Sequence, residues 1–195
     1  MTCLPLSHAP QLTGQQRANL ARLAAHLESL PADYQHFSMK VFLASHSGAS
    51  ARRAYLLGQT GMAQLAAAHP CGAAACALGH GPDAGVRPLR EHWLRCGYRC
   101  GLIRWEHYAG LFCSSRADHQ WLFGGYWFYA DNTHQGAAAR IRYALAGLPL
   151  PSADLLGTAL LLSGPQRSPQ LRALYATFLR QGLCVTHPAP CSADQ

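Results

Sequence analysis

Helix-start signals followed by apolar residues at helical spacing most restrict the folds open to this chain. The clearest is the capping box Thr13-Gly14-Gln15-Gln16, in which two side chains satisfy each other's backbone amides. Leucines then recur on one helical face until Pro31 ends the helix, at Leu20, Leu23, Leu27 and Leu30. Three more such segments lie in the last third, at 134–146, 153–162 and 169–182, preceded by Thr133, Ser152 and Ser168. The sequence therefore predicts a mainly α protein.

The middle of the chain carries weaker signals for secondary structure. Short helices are expected at Ala49–Leu57 and Met62–Ala68, separated by Gly58 and Gly61. Pro70 suits the first turn of a further helix, Cys71–Leu78, because its missing amide proton costs nothing there. Gly79 is then expected to close this helix in the left-handed conformation.

The aromatic segment Trp121–Tyr129 holds six aromatic residues in nine and is expected in the core. Gly124-Gly125 within it predicts a sharp turn, which allows a short β hairpin there. No internal repeat or low-complexity linker divides the chain. We therefore predict a single compact helical domain over residues 1–195, with 183–195 as a loose tail.

Composition narrows the classes of function. With 49% apolar and 13% charged residues, the chain can bury a core and is not a disordered polyelectrolyte. No apolar run reaches the ~20 residues of a membrane helix, because prolines, Asp154 and Gly157 interrupt the best candidate, 148–162. The first ten residues contain no Lys or Arg, so we expect no export signal. The expectation is a cytoplasmic protein without a membrane partner.

The net charge of +7 comes almost entirely from arginine, fifteen against the single Lys40. A GC-rich genome accounts for the skew from Lys to Arg, whereas the clustering needs its own explanation. Arginines alternate with aromatic residues between positions 87 and 104, and the candidate binding residues are Arg87, Arg90, Trp93, Arg95, Tyr98, Arg99 and Arg104. Guanidinium and aromatic groups suit both nucleic acid and protein hot spots. The alternative is a solvated face whose aromatic rings turn inward.

Eight cysteines and eleven histidines raise the question of a metal site. Cys76 and His80 share a helical face if the turn continues through Gly79, and Cys96 and Cys100 form an i, i+4 pair. Four thiolates suit zinc, and the candidate ligands are Cys71, Cys76, Cys96 and Cys100. The spacing is not a standard zinc pattern, so buried apolar thiols remain the alternative and no cofactor other than zinc is expected.

A cysteine nucleophile is the second chemical hypothesis. Cys71-Gly72 resembles the start of the helix that carries the reactive thiol in papain-like hydrolases. The base could be His107, His119 or His134, and the set chosen is His134 with Asn132 as its orienting group, Asp131 being the alternative to Asn132. A pattern like that of zinc deaminases, from His26-Leu27-Glu28 to Pro70-Cys71, is set aside. Its halves are far apart, and His26 lies in the middle of a leucine-periodic helix.

Several motifs between residues 30 and 147 resemble a family of small proteins found in phages and prophage regions. They are Asp33–Phe37, Cys71–His80, Trp121–Phe123 with Trp127, and Asp131–Thr133 leading into Ala137–Ile141. The family usually has Thr where this chain has Ala73, so a role for that hydroxyl does not carry over. The family has no assigned activity, so the resemblance implies a mobile-element origin and no reaction.

The function favoured by these observations is binding without catalysis. Accessory phage proteins of this size often act on host machinery, including defence complexes. We therefore expect an inhibitor of a host protein or nucleoprotein complex that uses the basic segment 87–104, with nucleic acid as a further possible partner. The alternatives left open are a cysteine hydrolase using Cys71 and a zinc-stabilised protein that binds nucleic acid.

Overall fold

The structure is a computed structural model that describes residues 6–45, 48–68, 73–94, 102–125 and 127–151. Its α-helices are α1 (Gly14–Ser29), α2 (Ala49–Leu56), α3 (Met62–Ala67), α4 (Trp105–Ala109), α5 (Arg116–Phe123), α6 (Trp127–Ala130) and α7 (His134–Leu145). Two antiparallel strand pairs join β1 (Leu6–His8) to β4 (Leu150–Pro151) and β2 (Leu43–Ser45) to β3 (Ala73–Ala75).

The prediction of a mainly α protein is confirmed. The predicted helices 153–162 and 169–182 and the tail 183–195 lie outside the described residues.

Local signals fix the start, the end and the buried face of α1. The Gln16 amide donates to Oγ1 of Thr13 at 3.2 Å, and the Thr13 amide donates to Oε1 of Gln16 at 3.0 Å, so the predicted capping box forms. The helix ends at Ser29, just before Pro31. Its apolar stripe is fully buried at Leu20, Leu23 and Leu27. Thr133 caps α7 as predicted, because its side chain accepts from the Gly136 amide.

α7 packs antiparallel along α1. The guanidinium of Arg17, near the start of α1, donates to the carbonyl oxygen of Leu145 at the end of α7, at 3.0 Å. At the opposite end, the imidazole of His134 contacts the Leu27 carbonyl oxygen at 2.8 Å. The apolar face of α7 is buried against this partner at Ala138 and Ile141. The two best-capped helices in the described chain therefore form one pair.

The buried face of α1 also carries polar side chains that hold the segment 110–114. Nε2 of Gln16 donates to the Gly110 carbonyl oxygen at 3.0 Å and to Oγ of Ser114 at 2.9 Å. Nδ2 of Asn19 donates to the Leu111 carbonyl oxygen at 2.8 Å. Because Gln16 and Asn19 lie on successive positions of one face of α1 and both bind the same segment, α1 is fixed in rotation as well as in position.

The predicted helix Cys71–Leu78 is wrong over its described part. Residues Ala73–Ala75 form β3 and pair with β2. A helical turn begins only afterwards, where the His80 amide donates to the Cys76 carbonyl oxygen at 3.1 Å and Leu78–His80 forms a 3₁₀ turn. Small alanines fit a strand whose one face is buried, at Ala73 and Ala75, so pairing with β2 overrides their helix propensity.

Gly79 is needed for close packing and not for the left-handed conformation that the sequence predicted. In the described chain, positive φ angles occur at Gly58, Gly85 and Gly147. A Cβ at Gly79 would overlap the carbonyl oxygen of Phe42, and Oη of Tyr55 donates to the Gly79 carbonyl oxygen at 2.6 Å. The turn after β3 is therefore held between the start of β2 and helix α2.

The described residues of the aromatic segment are helical on both sides of Gly124-Gly125, in α5 and α6, so they do not form the short hairpin allowed for it. Ser115 caps α5, because its Oγ accepts from the Asp118 amide at 3.0 Å. The expected core role is confirmed for three rings, Trp121, Phe123 and Trp127, which are buried. Nε1 of Trp127 donates to the Trp121 carbonyl oxygen at 2.7 Å, which fixes α6 against α5.

Candidate functional site

The two described ends of the basic segment, 87–94 and 102–104, run side by side. Trp93 forms an antiparallel bridge with Ile103, and the Arg104 amide donates to the His92 carbonyl oxygen at 2.7 Å. Three of the predicted binding residues lie outside the described residues: Arg95, Tyr98 and Arg99. The pairing brings Arg104 next to the 90–94 arm although the two are more than ten positions apart in sequence.

The side chains that this segment presents to solvent are both cationic and apolar. Its described arginines, Arg87, Arg90 and Arg104, are all exposed. The large apolar side chains found exposed within the described ranges also lie here, Leu89 at 49%, Leu94 at 36% and Leu102 at 43%. We call these six residues the Arg/Leu surface. Leu94 and Leu102 lie opposite each other, since the Leu94 amide donates to the Leu102 carbonyl oxygen.

The aromatic residues of the segment lie on its inner side. Trp93 is half-buried and packs against the core, and Ile103 is buried. The buried His92 ring contacts the edge of Tyr108, with centroids 6.1 Å apart. Strand geometry accounts for the 102–104 arm, where Ile103 faces inward between exposed Leu102 and Arg104 because neighbouring residues face opposite sides. The exposed apolar side chains in the described part of this segment are therefore leucines, whereas the sequence suggested exposed aromatic rings.

The hydrolase hypothesis depends on Cys71, which lies outside the described residues. Both ring nitrogens of its proposed base, His134, contact backbone carbonyl oxygens: Nδ1 that of Leu27 at 2.8 Å and Nε2 that of Pro31 at 3.0 Å. Oδ1 of Asn132 accepts from the Met39 amide at 2.7 Å. The side chains of His134 and Asn132 therefore bind backbone groups of other segments and do not bind each other in this arrangement.

The zinc hypothesis named four cysteines, of which only Cys76 is described. Its thiol is buried, and burial raises its pKa to about 11 although the backbone amides of Gly79 and Leu78 act in the opposite direction. The other three candidate ligands lie outside the described residues: Cys71, Cys96 and Cys100. The four-cysteine set therefore stays a prediction.

A shallow groove of about 640 Å³ brings a thiol and an imidazole to one surface, at Cys113 and His119. Burial and the nearby charge of Asp118 raise the pKa of Cys113 to about 12. Burial lowers the pKa of His119. Since the thiolate is the nucleophile, a thiol held protonated in this way is not activated for attack.

A cluster of histidines lies under α1, close to the turn after β3. The ring of His80 is completely buried between His26, Tyr34 and Phe37, with centroids 5.6 to 5.8 Å away. Nδ1 of His80 is 3.9 Å from Oδ2 of Asp83. One ligand atom from each of His26, His80 and Asp83 lies within 4.8 Å of the other two.

Burial governs the charges in this cluster. It lowers the pKa of His80 to about 3, and the neighbouring histidines add to the effect. It also lowers the pKa of His26 and raises that of Asp83, although the Met62 amide donates to the Asp83 carboxylate. His80 is therefore neutral near pH 7. Its contact with Asp83 is neither an ion pair nor, at 3.9 Å, a hydrogen bond.

Sequence reasoning considered His80 only with cysteines and His26 only in a deaminase-like pattern. The spacing His80-x-x-Asp83 is the one local signal that points to the cluster, because an i, i+3 pair can face one point on a turn. His26 is 54 positions earlier on the leucine-periodic helix, and no local pattern connects it to this turn. The packing of α1 brings it there.

Comparisons with protein-family models, curated proteins and solved structures found no match to this chain. In the part of the chain that the structure describes, no helix is both long and apolar enough to cross a membrane.

Proposed function

We propose that this protein acts by binding an acidic protein through the Arg/Leu surface. The observation that carries the proposal is the concentration of exposed leucines beside exposed arginines in one short segment. Three arginines there are accompanied by one acidic side chain, Glu91, so the segment is cationic. A cationic, apolar surface is complementary to an acidic partner that also offers apolar contacts.

The leucines favour a protein over nucleic acid as the partner. Phosphate groups are bound by guanidinium groups and amides, and bases stack on aromatic rings, whereas an exposed leucine adds little to either contact. In this segment the leucines are exposed, while Trp93 is half-buried against the core. Burial of three leucines in an interface would provide the hydrophobic contribution that charge pairing at an exposed surface lacks.

The biological setting that we propose is that of a phage or prophage accessory factor that inhibits a host complex. This part rests on the motif resemblance of residues 30–147. Occupation of a host protein's acidic face is a mechanism of inhibition that needs no reaction. The geometry of the described residues supports this choice, because both ring nitrogens of His134 contact backbone carbonyl oxygens and burial keeps the Cys113 thiol protonated.

The test is affinity capture from host lysate, with and without nuclease, by the wild type and three variants. Arg90→Glu and Leu94→Ser alter the two chemical components of the surface. Arg22→Glu is the matched control, because it reverses the charge of an exposed arginine on α1, outside the 87–104 segment. We expect a nuclease-resistant acidic protein to be retained by the wild type and Arg22→Glu and lost from the other two.

Equal retention by all four proteins, or no retained acidic protein, would contradict the proposal. Capture that disappears with nuclease would indicate nucleic acid as the partner. Circular dichroism of each variant shows whether a loss reflects unfolding. Both substituted surface side chains are exposed, so we expect unchanged spectra.

A further inference from the structure

We propose that His26, His80 and Asp83 form a binding site for a divalent transition-metal ion, separate from the Arg/Leu surface. Their ligand atoms lie within 4.8 Å of one another. Ligand atoms around a tetrahedral zinc ion are about 3.3 Å apart, so side-chain movements of roughly 1 Å would close the site on an ion. Two imidazoles and a carboxylate are a recurrent set of ligands for such ions.

The orientation of His80 is that of a ligand. Its Nε2 lies 3.3 Å from the carbonyl oxygen of His36, and since a carbonyl can only accept, Nε2 carries the proton. The lone pair is then on Nδ1, which is buried and has no hydrogen-bond partner in the described chain. Histidine ligands commonly donate their second nitrogen to a backbone carbonyl in this way.

The Asp83 carboxylate faces that lone pair directly. Oδ2 of Asp83 is 3.9 Å from Nδ1 of His80 and accepts from the Met62 amide at 3.1 Å, which holds the carboxylate in place. Both facing atoms are acceptors, and at this distance no hydrogen bond joins them. A cation between them would satisfy both.

His26 completes the group from a separate element. Its Nε2 is buried and likewise has no hydrogen-bond partner within the described ranges. It lies in the last turn of α1, whereas His80 and Asp83 follow β3. An ion would therefore connect α1 to this turn and, through the amide bonded to Asp83, to the start of α3. This arrangement predicts that metal binding stabilises the fold.

The ligand chemistry selects the kind of ion. Mg²⁺ and Ca²⁺ prefer sites made of oxygen atoms, whereas imidazole nitrogen suits Zn²⁺ and its neighbours in the first transition row. We therefore choose Zn²⁺ for affinity, Co²⁺ for its visible spectrum and Mg²⁺ as the negative control. The set contains no thiolate, so bound Co²⁺ should lack the strong thiolate charge-transfer band that a cysteine site would show.

The test compares the full-length, chelator-treated wild type with three variants under reducing conditions. His26→Gln and Asp83→Asn remove single proposed ligands and keep similar size and polarity. His36→Gln is the matched control from the same cluster, because that ring contacts the Ala73 carbonyl oxygen and is not a proposed ligand. The measurements are Zn²⁺ affinity by calorimetry, the shift in Tm with Zn²⁺ or Mg²⁺, and the Co²⁺ spectrum.

We expect the wild type and His36→Gln to bind one Zn²⁺ that raises Tm, and Mg²⁺ to have no effect. His26→Gln and Asp83→Asn should bind that ion at least about 100-fold more weakly. Loss of a residue that only hydrogen-bonds to a metal ligand weakens binding by up to about 100-fold, and loss of a ligand itself should cost at least as much. No Zn²⁺-dependent rise in the Tm of the wild type, an equal rise in all four proteins, or a strong thiolate charge-transfer band in the Co²⁺ spectrum would overturn the proposal. If one ligand variant is unfolded by circular dichroism, the other provides the result.

Discussion

Gly79 is the residue at which one additional methyl group should cost most. An alanine Cβ there would overlap the carbonyl oxygen of Phe42 and lie 2.6 Å from Cβ of Ala75. The Phe42 oxygen belongs to the backbone beside β2 and cannot move far. Gly79 is also held in place, because its carbonyl oxygen accepts a hydrogen bond from Tyr55. The φ angle plays no part, because Gly79 is not in the left-handed region.

We predict that Gly79→Ala lowers the free energy of unfolding by about 3 kcal/mol, the upper range for overpacking a buried site. Gly14→Ala is the control, because a Cβ at Gly14 meets no atom within 4 Å, and it should change stability by less than about 0.5 kcal/mol. Urea denaturation followed by circular dichroism measures both. Equal effects of the two substitutions would mean that the turn at Gly79 is not tightly packed.

At the scale of elements, α1 is held by two kinds of polar contact that should differ in strength. The buried Asn19 amide group donates to the Leu111 carbonyl oxygen at 2.8 Å. On the surface, Glu28 accepts two hydrogen bonds from Arg142 of α7, at 2.8 and 2.7 Å, with both side chains about half exposed. Water competes for the second contact and not for the first.

We predict that Asn19→Ala lowers the free energy of unfolding by about 2 kcal/mol, because it leaves the Leu111 carbonyl without its partner. Glu28→Ala should cost less than about 1 kcal/mol, and added salt should reduce its effect further. Chemical denaturation at low and high salt checks both values. A larger loss for Glu28→Ala than for Asn19→Ala would reverse this ranking of the contacts.

Elements with a complete local signal could be predicted, and elements made by pairing could not. Thr13, Pro31 and Thr133 act on the few residues beside them, so the helices that they delimit were predicted correctly. Ala73–Ala75 has no preference strong enough to resist its surroundings, and the strand forms because Leu43–Ser45 lies beside it. An alanine-rich segment without a capping residue, such as Ala73–Ala75, is therefore assigned wrongly from sequence, whereas the alanines of the capped helix α7 were assigned correctly.

The same contrast applies to the candidate sites. The basic segment could be predicted because its arginines are close in sequence, and Arg87, Arg90 and Arg104 are exposed as that hypothesis requires. The exposed leucines were missed, since only the antiparallel pairing shows which face each residue occupies. The histidine cluster was missed because its members meet through the packing of α1 and not through local spacing.

For the whole molecule, buried histidines predict a loss of stability in acid. Burial lowers the pKa of His26, His80, His92 and His119. These imidazoles remain neutral in the folded state but gain protons in the unfolded state once the pH falls below about 6.5. Since the unfolded state then binds more protons, the free energy of unfolding must fall as the pH decreases.

We predict that, in chelator-treated protein, stability falls between pH 6.5 and pH 5 by at least about 1.4 kcal/mol per pH unit once the first histidine is titrated in the unfolded state. His80 provides most of this slope, because its pKa is about 3 within a cluster that also contains His26, His36, His134, Tyr34 and the Asp83 carboxylate. The raised pKa of Asp83 has the opposite effect at lower pH, which sets the lower limit of the window. A flat profile of urea denaturation midpoints over this range would contradict the prediction.

The pairing of α1 with α7 also affects how the protein is made. Leu20, Leu23 and Leu27 leave the ribosome early, but the helix that covers them is translated more than a hundred residues later. Translation proceeds at roughly 5–20 residues per second, so the leucine face of α1 lacks its partner helix α7 for on the order of 10 s. During that interval the apolar face of α1 is exposed to chaperones and to other newly made chains. The yield of active molecules therefore depends on how well the cell shields that helix during translation.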